Sequence, residues 1–135
     1  MVLKNNISGR YILAENKKRI LIVDDDKELL STLVKYFDLK GVIAKGVESA
    51  ESAQNVIDKG EKFDLMVIDI VLPGISGVEL LKIVKQKTPD QKVIVMTGML
   101  SIENTLTALR EGAVEYLLKP FSSLEYIWSI IEEYL

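Results

Sequence analysis

Leu65-Met66-Val67-Ile68 constrains the fold of this chain more than any other stretch. Side chains alternate across a strand, so four apolar residues in a row leave it no wet face. Such a run fits a strand covered on both sides, as in a parallel sheet packed between helices. It stops on a carboxylate, Asp69, and then reaches Pro73-Gly74, a loop and turn signal. Ser76-Gly77 follows and opens a helical pattern. Asp69 is therefore expected at the carboxyl end of a central strand, where open α/β sheets place their ligands. The plainer alternative is that Asp69 ends the strand and hydrogen-bonds its own loop.

The same alternation runs through the chain from Arg19. Ile20 to Val23 reads as an apolar strand ending in Asp24-Asp25-Asp26. Leu29, Leu30, Leu33, Val34 and Phe37 then recur at helical spacing, and Gly41 supplies the stop. Val42 to Ala44 is a weaker second strand; Ala50, Ala53, Val56 and Ile57 mark a second helix closed by Gly60. After the central strand, a third helix turns Val78, Leu81 and Val84 inward before Pro89. Val93 to Met96 is a fourth strand running into Thr97-Gly98. Ser101 caps a fourth helix carrying Ile102, Leu106 and Leu109, which Gly112 ends. Val114 to Leu118 is a fifth strand, followed by Lys119-Pro120-Phe121. Ser122 with Glu125 is a capping-box pattern for a last helix with Ile127, Ile131 and Tyr134 on one face.

Five strands alternating with five helices predict an α/β fold with a doubly wound parallel sheet and short, right-handed crossovers. The flavodoxin-like order 2-1-3-4-5 is one common arrangement for this count, with its crevice between strands 1 and 3. The pattern alone does not fix that order. Residues 1–18 are polar and aperiodic and read as a loosely ordered extension, in which Ile7, Tyr11, Ile12 and Leu13 could dock as a short helix. Residues 19–135 form one domain, long enough to bury roughly two-thirds of its unfolded surface.

Composition narrows the chemistry. There are no cysteines and no histidines, which excludes disulfides, thiolate or imidazole metal sites, and Cys/His or Ser/His catalytic pairs. Carboxylates, hydroxyls, lysine and backbone remain. The absence of cysteine is compatible with the cytoplasm. A net charge of −3 offers no basic surface for nucleic acid, and no apolar run approaches the ~18 residues of a membrane span.

Under the 2-1-3-4-5 order, Asp24, Asp25 and Asp69 converge in one crevice. At an effective dielectric near 20, one like-charge pair at ~4 Å costs about 4 kcal/mol before screening. Some carboxylates must then take protons, or a cation must sit among them. An all-oxygen site suits Mg²⁺. The same cation could neutralise a phosphoryl group arriving at Asp69, a carboxylate of the kind that forms aspartyl phosphates. Thr97 offers such a group a hydroxyl and Lys119 an ammonium. Taken singly, the aspartate run reads equally as a solvated turn, Thr97 as a turn hydroxyl and Lys119 as an exposed lysine.

Four motifs together carry a resemblance. Ile-Leu-Ile-Val-Asp-Asp-Asp (20–26), Val-Ile-Asp-Ile-Val-Leu-Pro-Gly-Ile-Ser-Gly (67–77), Val-Ile-Val-Met-Thr-Gly (93–98) and Tyr-Leu-Leu-Lys-Pro-Phe (116–121) resemble the signatures of the response-regulator receiver domain of two-component signalling. The resemblance covers about residues 19–135. It implies the 2-1-3-4-5 fold and a phosphoacceptor at Asp69. It also implies Mg²⁺ held by Asp24, Asp25, Asp69 and the backbone carbonyl of Val71. Thr97 and Tyr116 would be switch residues and Lys119 the phosphate-binding lysine, with the bond before Pro120 cis. Ser76 departs from the family, which often has Asp there; either caps a helix. Met96 to Phe121 resembles most the receivers found in front of AAA-type activators of transcription.

The resemblance implies a phospho-switch fed by a histidine kinase or histidine phosphotransfer protein. Such a domain catalyses only its own phosphorylation and dephosphorylation and is otherwise no enzyme. The surface of the fourth helix, fifth strand and fifth helix, with Met99, Leu100 and Trp128 as contact candidates, would carry homodimerisation or partner docking. Two positions implied to govern hydrolysis, Val71 and Met99, are apolar here, which predicts a long-lived phosphoryl group. A flavodoxin-type binding module is a rival, but three aspartates stand where a phosphate-binding loop wants glycine and hydroxyls. A pseudo-receiver would be expected to lack Asp69, Asp25 or Lys119, and all three are present. A stand-alone receiver and part of a longer regulator both fit.

Overall fold

A computed structural model describes residues 3–5, 11–13, 17–99 and 101–135 of the chain. Each apolar run forms a strand of one parallel sheet: β1 (Arg19–Val23), β2 (Ile43–Val47), β3 (Leu65–Asp69), β4 (Val93–Thr97) and β5 (Glu115–Leu118). Five helices alternate with them: α1 (Lys27–Leu39), α2 (Ala50–Asp58), α3 (Gly77–Lys87), α4 (Ile102–Arg110) and α5 (Leu124–Ile131). The strand order is β2-β1-β3-β4-β5, the expected 2-1-3-4-5.

Period-two alternation divides the core between the two sheet faces. Leu21, Val23, Met66, Ile68, Val93 and Val95 pack with α2, α3 and Ala108 of α4. Ile20, Ile22, Leu65, Val67, Ile94 and Met96 pack with α1 and α5, where Phe37, Ile127 and Ile131 are buried. Every residue of β3 and β4 is buried, as the apolar runs require. Among the described residues no helix is long and apolar enough to cross a membrane.

Several local expectations shift. The second strand spans Ile43–Val47 and not Val42 to Ala44. Within it, a Cβ at Gly46 would lie 2.7 Å from the Leu30 side chain, so Gly46 is where α1 presses on the sheet. The α5 cap is Ser123, not Ser122: the Ser123 hydroxyl accepts from the Tyr126 N–H at 3.0 Å. Tyr11–Leu13 pairs antiparallel with Leu3–Asn5 as a two-stranded ladder, not as the short helix that Tyr11, Ile12 and Leu13 could have formed. Ile7 lies outside the described residues. In α3, Leu80 is fully buried beside Leu81 and Val84, while Val78 is only half-buried. Trp128 packs its ring 5.8 Å from that of Phe37, which places it in the α1–α5 layer. Ile102, Leu106 and Leu109 of α4 are exposed.

Candidate phosphoacceptor site

The site is assembled at the carboxyl ends of β1, β3, β4 and β5. Pairing sets its depth: Val23 lies opposite Ile68, Asp69 opposite Met96, and Thr97 opposite Leu118. Asp24, Asp69, Thr97 and Lys119 therefore emerge at one end of the sheet, together with Asp25.

The three consecutive aspartates do three different things. Asp24 is fully buried, and its Oδ1 accepts the Asp26 N–H at 2.8 Å. Asp26 caps α1, its Oδ1 accepting the N–H groups of Glu28 and Leu29, both at 3.1 Å. Asp25 is left exposed with no structural duty of this kind. Carboxylate oxygens of Asp24, Asp25 and Asp69 all lie within 4.8 Å of one another. The convergence expected from the sequence is present.

Lys119 relieves much of the repulsion. Its Nζ donates to Asp24 Oδ2 at 2.5 Å and to Asp69 Oδ2 at 2.9 Å. Sequence reasoning assigned this ammonium to an incoming phosphoryl group and did not foresee that it bridges two of the carboxylates. Burial tends to lower the Lys119 pKa, but the bonds to Asp24 and Asp69 outweigh it and hold the group above its ordinary value. Burial pushes the Asp69 carboxyl above its ordinary value, with the Asp24 charge adding to the rise. The Lys119 ammonium and the Val71 N–H oppose that shift. Three carboxylates and one ammonium leave two net negative charges around an all-oxygen cluster, which suits one divalent hard cation.

The surroundings of Asp69 are fixed by backbone. Its Oδ1 accepts the Val71 N–H at 2.9 Å, and Gly77 N–H closes the following loop onto the Ile70 carbonyl at 2.9 Å. A Cβ at Gly77 would stand 2.0 Å from the Asp69 carbonyl oxygen. Gly77 thus lets the start of α3 abut the end of β3, a role the motif contained but periodicity could not show. Thr97 is fully buried, and its Oγ1 accepts the Met99 N–H at 3.1 Å. The Lys119–Pro120 bond is cis. Tyr116 packs against the α2–α3 side of the core, its hydroxyl buried and, among the described residues, without a hydrogen-bond partner. Val71 and Met99 are exposed at the mouth of the site; Leu100 lies outside the described residues.

One contact was not legible as a site feature. Glu51, on α2, accepts the Ile75 N–H at 3.3 Å and so reaches the loop that follows Asp69.

Comparison with known proteins agrees with this geometry. Residues 20–131 match the family model described as the response regulator receiver domain. The response regulator FleR of Pseudomonas aeruginosa is 34% identical over 105 residues, covering 78% of this chain and 22% of that protein. The chain therefore spans about a fifth of that relative's length. A CheY-like receiver from Methanospirillum hungatei superposes with a TM-score of 0.81 at 34% identity, covering 88% of this chain and 94% of the other. The response regulator TrrA of Thermotoga maritima, solved with Mg²⁺ and beryllium fluoride, gives a TM-score of 0.77 at 30% identity, covering 87% and 99%. With the fold, the acidic cluster and 112 residues of matched sequence all in agreement, the chain belongs to the response regulator receiver domain family.

Proposed function

We propose that this domain is the phosphoacceptor switch of a two-component phosphorelay, working in the cytoplasm and accepting a phosphoryl group on Asp69 from a histidine kinase or histidine phosphotransfer protein. The observation that supports it best is the Asp24–Asp25–Asp69 cluster bridged by Lys119. An Asp69 carboxylate oxygen forms the new bond to phosphorus while the bond from phosphorus to the donor's histidine nitrogen breaks. The nitrogen leaves with the electron pair. Asp24, Asp25, Asp69 and the Val71 carbonyl are the oxygens that would hold Mg²⁺. When bound, Mg²⁺ supplies charge neutralisation for the phosphoryl oxygens. Lys119, 2.9 Å from Asp69 Oδ2, is within reach of a phosphoryl oxygen there, and Thr97 can turn its hydroxyl from the Met99 N–H toward another.

The domain catalyses its own phosphorylation and dephosphorylation. Thr97 and Tyr116 transmit the change to the face of α4, β5 and α5, where Met99, Ile102, Leu106, Leu109, Leu118 and Tyr126 are exposed. That face serves homodimerisation or docking of an output domain, in a system controlling transcription. Val71 and Met99 offer no side-chain hydrogen bond to a hydrolytic water, so the phosphoryl group is long-lived.

Incubation with Mg²⁺ and a small acyl phosphate should add the mass of one phosphoryl group, and Asp69→Asn should abolish the gain. An undiminished yield in that variant would overturn the assignment. Followed over time, the same measurement reads the lifetime: Val71→Asn with Met99→Glu should lose the group faster than wild type.

A further inference from the structure

We infer that Glu51 is a positioning residue for the metal side of the site, holding from α2 the loop that carries the Val71 carbonyl. The inference rests on the Mg²⁺ reading of the acidic cluster and adds a residue to it.

Residues 70–76 join β3 to α3. Their two ends are pinned: Ile70 N–H donates to the Met96 carbonyl at 2.9 Å, and Gly77 N–H returns to Ile70 at 2.9 Å. Ile70 and Leu72 are buried, but Val71, Pro73 and Gly74 are exposed. The far half of the loop therefore needs another hold. Among the described residues, Glu51 is the one side chain from outside this β3–α3 unit that hydrogen-bonds the loop backbone, through Ile75 N–H. Gly74 makes room for it. A Cβ on Gly74 would lie 3.0 Å from Glu51 Oε1, and Gly74 has φ +75, a conformation that favours glycine. The carboxylate is thus seated against a turn whose backbone shape and lack of side chain both admit it.

Mg²⁺ tolerates little displacement of its ligands, since it demands near-ideal octahedral geometry at about 2.1 Å. A loop that samples several positions offers the Val71 carbonyl correctly for only part of the time. Apparent affinity then falls by that fraction. Losing one hydrogen bond of about 1 kcal/mol corresponds to a change of up to about fivefold.

The test is Mg²⁺ titration of the intact chain by calorimetry, for wild type, Glu51→Ala, Glu51→Gln and Asp25→Asn. Glutamine keeps an oxygen of the same reach while removing the charge, so it separates the latch from long-range attraction of the cation. The expected result is an Mg²⁺ Kd about two- to fivefold weaker for Glu51→Ala, near wild type for Glu51→Gln, with the Ile75 amide losing hydrogen-exchange protection only in the alanine variant. Equal affinities in wild type and Glu51→Ala would overturn the inference. So would a glutamine variant as weak as alanine, since charge would then explain the effect. If wild type bound no Mg²⁺, or Asp25→Asn bound it unchanged, the metal reading beneath would fail instead.

Discussion

Helices α3 and α4 look alike in sequence and are held quite differently. Each follows a serine whose hydroxyl caps it, Ser76 to Glu79 N–H and Ser101 to Asn104 N–H, both at 3.2 Å. Each repeats apolar residues at helical spacing. Yet α3 buries Gly77, Leu80, Leu81 and Val84, whereas α4 buries Ala108 alone. Ile102 is 79% exposed and Leu106 46% exposed. Periodicity announces an apolar face without saying what covers it. In α3 the sheet covers it. In α4 the face turns outward, leaving Ile102, Leu106 and Leu109 exposed. A helix with so few buried contacts opens locally at low cost.

The sharpest way to break this contrast is at the glycines leading into the two helices. Gly77→Ala forces a Cβ to 2.0 Å from the Asp69 carbonyl oxygen and 2.7 Å from the Ile70 Cα, and backbone cannot swing aside as a flexible side chain can. We expect a loss of more than about 3 kcal/mol, at the upper end of what single substitutions do. In Gly98→Ala the nearest atom, Lys119 Cβ, is 3.9 Å away, an ordinary contact. That variant should stay within about 1 kcal/mol of wild type. Denaturant unfolding of both measures the difference, and similar losses would mean the start of α4 is as tightly abutted as that of α3.

Next in size is leucine truncation. Leu81→Ala, at a fully buried position, should cost about 2–5 kcal/mol through lost burial and the cavity left behind. Leu106→Ala, nearly half exposed, should cost less than about 1 kcal/mol. Equal unfolding midpoints for the two variants would show that α4 is buried in solution against something the isolated chain supplies.

The same contrast marks how far the sequence could be read. The parallel sheet was legible because apolar strand runs ended on carboxylates, while its order, and with it the Asp24–Asp25–Asp69 convergence, came from the four motifs and their resemblance and not from the pattern. The fate of α4 was not, because Ile102, Leu106 and Leu109 carry the same period as core residues. Lys119 bridging Asp24 and Asp69 was hidden for another reason: its two partners lie 95 and 50 residues away, and spacing along the chain says nothing of rotamers. Glu51 was missed because a single glutamate in the first turn of a helix is usually a dipole partner and nothing more. The reach of β2 to Val47 was missed as well, since Gly46 serves close packing against Leu30 there.

The smallest expected effect has the opposite sign and concerns the edge strand beside α4. The Tyr116 hydroxyl is buried and has no hydrogen-bond partner among the described residues, while its ring packs on the core. A buried, unsatisfied hydroxyl is destabilising by roughly 1–3 kcal/mol relative to one that is paired or solvated. Removing it leaves the ring packing intact. Tyr116→Phe should therefore hold stability level or raise it by up to about 1 kcal/mol, against the usual direction of core substitutions. The denaturation midpoint reads this directly. A clear loss of stability in Tyr116→Phe would mean that the hydroxyl finds a partner in solution, and that the side of the core facing α4 is better satisfied than the exposed α4 stripe implies.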